Sequence, residues 1–336
     1  MRRDCFGGSN QPSRRAARPG RILSKNVAEN DMTDKTESTS ERWQKRLLDA
    51  SEMIRSQPEP DAIVFQHSVL CQTTLPYRNP GEGVRSWQRV NGSVHLEISA
   101  GKALHPELNR LVEIGLPYGT KPRLILAHLN TEALRHGSPE IDVAGSLTSF
   151  VKRLQLSTSG RNINTIKDQL ARLAASHITL GIMNGAEAIT INSQIVTSFN
   201  LWFPKDGEQR VLWPSKVRLS QEYFDSLIKH AVPLDDRALM ALSGSAMALD
   251  VYAWLAQRLH RIEWGQRALV PWPALKAQFG WHYERLIDFR PEFRKAVRDV
   301  HSQYRAADIE LDRRGMTLRR SPPPVKGRTG IVVKVP

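Results

Sequence analysis

The chain has 336 residues, room for two domains and a sizeable core, with 40% apolar residues and eight tryptophans. Its 48 basic and 34 acidic residues leave a formal net charge of +14, which favours polyanionic partners such as nucleic acid. Two cysteines, Cys5 and Cys71, exclude a disulfide framework and a four-ligand zinc site, and no apolar run approaches the ~20 residues of a membrane span.

The first forty residues lack an apolar run, so they are not a secretory signal. Residues 1–30 hold seven basic side chains against Asp4 and Glu29. Two readings are open: a basic arm that touches phosphate, or a disordered leader ahead of a start at Met32. The leader is the expectation, followed by a short amphipathic helix over 41–55 and the breaker SQPEPD. Asn91-Gly92 between two alternating runs predicts a hairpin, with Val94, Leu96 and Ile98 on one face.

GLPYGTKPRLILAHLNTEALRHG predicts a helix with Thr120 as N-cap, Pro122 in its first turn and Gly137 at its end. SLTSFVKRLQL predicts a second helix, Ser157–Gly160 a turn, and GRNINTIKDQLARL a third. HITLGI and EAITINSQIVTSFNLWFPKDGEQRVLWP alternate in the strand period, with Lys205–Glu208 as a turn. Helix, helix, turn, helix, hairpin is the order of a winged helix-turn-helix. Phe199–Phe203 reads as core, with an interface as the alternative.

The second half repeats the plan. LSQEYFDSLIKHAV, capped by Ser220, and PLDDRALMAL predict helices. SAMALDVYAWLAQRLH is apolar nearly all round and predicts a buried helix whose Asp250 needs a partner. VPWPALKAQFG predicts a short helix ending at Gly280, and DFRPEFRKAVRDVHSQYRAA a long one with Pro291 in its first turn. DIELDRRGMTLRR predicts a hairpin with its tip at Arg313-Arg314-Gly315. The triple proline begins a Pro-rich basic tail.

The fold class expected is therefore mixed α/β, mainly α, with two tandem winged helix-turn-helix domains and small antiparallel hairpins. The divisions are a leader with a short helix over 1–60, a first domain over 61–218, a second over 219–320 and a tail over 321–336. Six of the eight tryptophans lie between 200 and 281, which predicts aromatic packing where the domains meet.

On a helical wheel, Ile163, Ile166, Leu170, Leu173 and Ala174 form a dry stripe, while Arg161, Thr165, Asp168, Gln169, Arg172 and Ser176 lie away from it. Phe293, Val297, Val300 and Tyr304 do the same in the later helix, opposite Arg294, Lys295, Arg298, Ser302 and Arg305. Arg and Gln can make paired hydrogen bonds to base edges, and Lys and Ser more often hold phosphate. The candidate DNA-binding residues are Arg161, Thr165, Gln169, Arg172, Arg294, Lys295, Arg298, Ser302 and Arg305, with Arg313 and Arg314 at the hairpin tip. The later helix is the main reader expected.

LPYGTKPRLILAHLNTEAL, SLTSFVKRLQL, GRNINTIKDQLARLAAS, FNLWFPKD, QRVLWPSKVRLSQEYFDSLIKHAVPLDDRAL and ALDVYAWLAQRLHRI resemble the plasmid-encoded RepA family of replication initiators, from about Leu75 to about Pro324. The resemblance implies a bacterial cytoplasmic protein that binds repeated double-stranded DNA sites in a plasmid origin and recruits host replication proteins. It also implies repression of its own gene and a monomer–dimer equilibrium, with one of the two domains often devoted to dimer contacts.

An enzyme that nicks DNA needs a tyrosine nucleophile with a metal held by His-x-His or a carboxylate cluster. No His-x-His occurs, and GLPYGTK lacks the spacing of a nucleotide-binding loop. Asp235-Asp236 suits a helix start better than acid–base chemistry. A non-catalytic chain without metal or cofactor is expected. The alternative is a winged-helix transcriptional repressor without a replication role, which fits the residues equally and is set apart by the resemblance.

Overall fold

The computed structural model describes residues 39–54, 56–105, 108–142, 147–184, 187–198 and 216–325. In the first part of the chain come α1 (Thr39–Met53), β1 (Ile63–His67), α2 (Ser68–Gln72), β2 (Ser86–Asn91), β3 (Val94–Ser99), β4 (Lys102–His105) and β5 (Arg110–Glu113). A helical stretch follows, with α3 (Thr120–His136), β6 (Glu140–Asp142), α4 (Leu147–Arg153) and α5 (Gly160–Ala175), then β7 (His177–Asn184), β8 (Glu187–Gln194) and β9 (Val196–Ser198). Beyond them lie β10 (Lys216–Leu219), α6 (Gln221–His230), β11 (Ala231–Asp235), α7 (Asp236–Leu242) and α8 (Ala246–Arg258). The last elements are β12 (Arg267–Pro271), α9 (Trp272–Phe279), α10 (Leu286–Gln303), β13 (Ile309–Leu311) and β14 (Gly315–Arg319). The result is mixed α/β with small antiparallel sheets.

Local chemistry explains most of these boundaries. Gly92, at φ +60°, closes the β2–β3 hairpin, and Val94, Leu96 and Ile98 point inward as their alternation requires. Gly137 ends α3 in the left-handed region. Ser220 caps α6 through its Oγ, which accepts from the Tyr223 N–H at 3.1 Å. Asp235 caps α7, accepting from the Arg237 N–H at 3.0 Å, and an Arg237 side-chain ion pair at 2.7 Å holds it there.

Two helix starts differ from expectation. Gly119, not Thr120, is the N-cap of α3, with no side-chain cap. α10 begins at Leu286, two residues before the expected start at Asp288, so Pro291 lies past the first turn, inside the helix, and cannot donate to the Ile287 carbonyl. Pro233, Leu234 and Asp235, expected as helix, belong to strand β11, because it pairs with β1 from Ile63↔Asp235 to His67↔Ala231.

The sheets run β2-β3-β7-β8, β6-β10-β9, β12-β14-β13, β1-β11 and β4-β5. One apolar core gathers β2, β3, α4, α5, β7 and α6, with Trp87, Phe150 and Tyr223 among its large side chains. The other gathers α7, α8, α9 and α10 around Trp254, Trp272, Phe279, Phe289 and Phe293. α3 is their common wall: Ile125, Leu126 and Leu129 face the first core, Leu124 and Ala127 the second.

Packing and the sequence-based divisions disagree at two places. α6, placed in the second domain, buries Tyr223, Phe224 and Leu227 in the first core. α1, placed with the leader, lies along α10 in the second. Its Leu47 and Ala50 are buried there, the Leu47 carbonyl accepts from Gln303 Nε2 at 2.8 Å, and Arg305 donates to Ser51 Oγ at 3.3 Å. The segment 199–215, including Phe199–Phe203 and the Lys205–Glu208 turn, lies outside the described residues. So do residues 1–38 and the tail from 326 onward.

The seam between the cores is polar at its centre. Arg123 on α3 donates twice to Asp250 on α8, both at 2.7 Å, and also reaches the Leu75 carbonyl at 2.8 Å. That is the partner Asp250 needed. Nearby, the end of α9 and the turn after it seat on the first core. Thr74 Oγ1 donates to the Gln278 carbonyl at 3.4 Å, and the Trp281 ring meets Trp87 edge-on at 4.4 Å. Aromatic packing is thus divided, with the Trp87–Trp281 contact at the seam and Trp254 and Trp272 inside the second core.

Candidate nucleic-acid interface

Both third helices are amphipathic, and their outward faces meet different fates. On α5, Arg161 is exposed, and Thr165 is half-buried with its hydroxyl donating to the Arg161 carbonyl at 2.8 Å. Gln169 departs from the wheel. It is 1% exposed, its Oε1 accepts from the Tyr118 N–H at 2.8 Å, and its Nε2 donates to Asp168. Arg172 is held by Asp168 at 2.9 Å, reaches Glu82 at 3.7 Å and the Leu116 carbonyl at 3.3 Å, and lies over the Tyr118 ring.

The reason is the segment between β5 and α3, which the wheel could not see. It crosses the polar flank of α5 so closely that a Cβ on Gly115 would meet the Arg172 guanidinium at 2.1 Å. Half of the expected surface of α5 is therefore internal structure.

α10 keeps its polar face. Phe289, Phe293, Val297 and Val300 build the core, while Arg294, Lys295 and Arg298 are exposed. α1 covers a different flank, where the Trp43 indole bonds Asp299 and burial raises the Asp299 carboxyl above its usual range. Ser302 turns back on the helix, donating to the Asp299 carbonyl at 2.7 Å. Arg305, just past the helix end, is exposed and bonded to α1 as described.

The β13–β14 hairpin stands beside the same face. Asp312 shapes its tip, accepting from the Arg314 N–H at 2.7 Å and the Gly315 N–H at 3.0 Å, which holds the Asp312 carboxyl below its usual range. Gly315 is needed there, since a Cβ would meet the Val270 carbonyl oxygen at 2.1 Å. Arg313 and Arg314 point to solvent, and Arg314 folds back to Asp312 at 3.3 Å.

Trp272 joins the two parts. Its Nε1–H donates to the Asp312 carbonyl at 3.0 Å, and the Arg290 and Arg294 guanidinium groups each lie 5.2 Å from the centre of its ring. Arg290 was not among the expected residues. It lies on the flank of α10 that the wheel assigned to neither stripe.

Among the described residues, no group of three or more His, Cys, Asp or Glu is placed to hold a metal ion. Among them too, no helix is long and apolar enough to cross a membrane. Cys71 is buried, and burial raises its thiol above the usual range. A cavity of about 520 Å³ lies between α3, α4 and α7 and mixes both charge signs, including His128, Glu132, Arg153 and Asp236.

The fold and this face define a class: a basic mixed α/β protein with one helix-and-hairpin surface left open beside a packed aromatic core. Residues 116–272, a little under half of the chain, match the family described as plasmid encoded RepA protein. Among solved structures, a crystal structure of domains 2 and 3 of RctB is similar at 12% identity, covering 66% of this chain and 80% of that one, with a TM-score of 0.44. A second crystal structure of RctB domains 2–3 is similar at 11% identity, covering 72% of this chain and 83% of that one, with a TM-score of 0.43. No curated protein matches.

Proposed function

We propose that the chain is a sequence-specific double-stranded DNA-binding protein that initiates plasmid replication by binding repeated origin sites. In this reading it holds two winged helix-turn-helix units. One is α3–α4–α5 with the β7–β8 hairpin; the other is α8–α9–α10 with β13–β14, and this second unit is the main reader. The observation that carries the proposal is α10: its inner face is core, its outer face presents Arg294, Lys295 and Arg298, and Arg313 and Arg314 stand beside it on the hairpin tip. The strand order β12-β14-β13 around α9 and α10 supports the winged reading.

Arg298 is the base-reading residue and Lys295 a phosphate contact, by the chemistry of their side chains. The family match supports the replication role, with host replication proteins as partners, a monomer–dimer equilibrium and a bacterial cytoplasmic setting. Of α5, only Arg161 and Thr165 remain as contacts; Gln169 and Arg172 serve the fold.

A fluorescence-anisotropy titration at roughly physiological salt, with duplex flanking the chain's own gene against random duplex, tests this. An affinity ratio of about 10³ or more is expected for a specific binder. A ratio near one removes sequence reading. Footprints on tandem repeats are expected, and a single inverted repeat over the promoter would instead indicate a repressor.

A further inference from the structure

α9, α10 and the β13–β14 hairpin meet around one indole. Trp272 is buried, and its hydrogen bond to the Asp312 carbonyl fixes the ring against the hairpin tip. Arg290 and Arg294, one helical turn apart, both bring their guanidinium groups to that ring at 5.2 Å. Two like charges at this spacing repel each other unless a counter-charge joins them.

Among the described residues, no carboxylate pairs with either arginine. The acidic groups at hand are committed elsewhere, Asp288 to Arg285 at 2.8 Å and Asp312 to Arg314 at 3.3 Å. Arg290 Nε is buried and has no hydrogen-bond acceptor in the protein. A buried donor without an acceptor is costly, so the site is short of an oxygen-bearing anion.

We propose that Arg290 and Arg294, steered by Trp272, form a seat for a single backbone phosphate of duplex DNA at the junction of α10 and the hairpin tip. The inference rests on the DNA-binding reading of α10 and deepens it. It adds Arg290 to the surface and moves Arg294 from base edge to phosphate. A ring that holds a guanidinium leaves the N–H edges free to donate, and a phosphodiester offers two unesterified oxygens, one for each arginine. Base reading then falls to Arg298, one turn further along the same helix.

The test is a salt titration of the full chain on gene-flanking and random duplex, for the parent protein, Arg290→Gln, Arg294→Gln and the double variant. Each single substitution is expected to weaken binding to both duplexes by the same factor. The double variant is expected to flatten the log–log salt slope by about 0.9, the value of one neutralised phosphate. A change near twice that means two separate phosphates and overturns the shared seat, and an unchanged slope overturns the seat altogether. Loss confined to the gene-flanking duplex returns Arg294 to base reading and likewise overturns it.

Inorganic phosphate separates the two sources of this chemistry. Millimolar phosphate is expected to leave the melting temperature unmoved, whereas a rise abolished in the double variant would mark a free-anion site instead. Should the parent protein bind neither duplex, the DNA reading itself fails, which is a different result. Unchanged melting of the variants without DNA checks that they fold.

Discussion

α5 and α10 begin from the same pattern, an apolar stripe opposite arginines, and end with opposite uses of it. In α5 the arginine and glutamine of the polar flank are consumed by neighbours: Gln169 holds the Tyr118 N–H, and Arg172 is ion-paired to Asp168 beneath the covering segment. In α10 the neighbours stand on the other flanks, and the arginines face solvent or an indole. Amphipathicity tells which side of a helix is dry. It does not tell what the rest of the chain lays over the wet side.

The largest expected effect tests whether the two halves stand as one unit. Asp250→Ala leaves the Arg123 guanidinium buried without its partner and should cost about 3–5 kcal/mol. Urea unfolding followed by tryptophan fluorescence checks the loss, and a change under about 1 kcal/mol would mean the seam is wetter than described.

Two substitutions then set the helices against each other. Arg298→Ala should weaken specific DNA binding by about 1–3 kcal/mol and leave stability alone. Gln169→Ala should do the reverse, costing about 1–3 kcal/mol of stability through the orphaned Tyr118 N–H. Its specific affinity, measured well below the melting temperature, should match the parent. If Gln169→Ala loses specificity while keeping stability, the contrast between α5 and α10 collapses.

Acid should distinguish the halves more gently. Burial holds His67 neutral, its pKa lowered to about 3, and His128 likewise, lowered to about 4. Both folded values lie below the unfolded value of about 6.5, so the stability they carry is present above that pH and is lost as pH falls below it. Asp236, raised to about 6 by burial and by Asp235, acts oppositely, since its contribution is present in acid and lost as pH rises through 6. Two histidines against one carboxyl leave a net loss of about 2 kcal/mol between pH 7 and 5.5. Hydrogen exchange at pH 5.5 should therefore rise in β1 and α3 before it rises in α10. Equal protection at both pH values would contradict the assignment.

Much of the helical frame was legible in the sequence, because caps and apolar periodicity are local signals. Gly137, Ser220 and the Asn91-Gly92 turn each mark a boundary that the fold keeps. The short strands β1, β6, β11 and β12 were not legible, since their partners are distant in sequence and too few residues alternate to be seen. β1 with β11 joins residues more than 160 positions apart. The α1–α10 contact was hidden for a similar reason, as Leu47 and Ala50 look like any amphipathic stripe until a partner is known. Of the candidate face, the exposure of Arg298 and of the Arg313-Arg314 tip was legible as pattern. Arg290 could have been found by noting an arginine four residues before Arg294 and a tryptophan opening the preceding helix. The burial of Gln169 had no local signal.

The Arg123–Asp250 pair has a consequence for how the molecule would come apart. Water solvates a separated arginine and aspartate well, so parting the seam there returns hydration that burial removed, whereas splitting either aromatic core returns nothing comparable. α3 and α8 would each keep their own hydrogen bonds and most of their apolar neighbours. The protein's natural line of cleavage thus runs between α5 and α10, along the seam that the buried Arg123–Asp250 pair holds by charge.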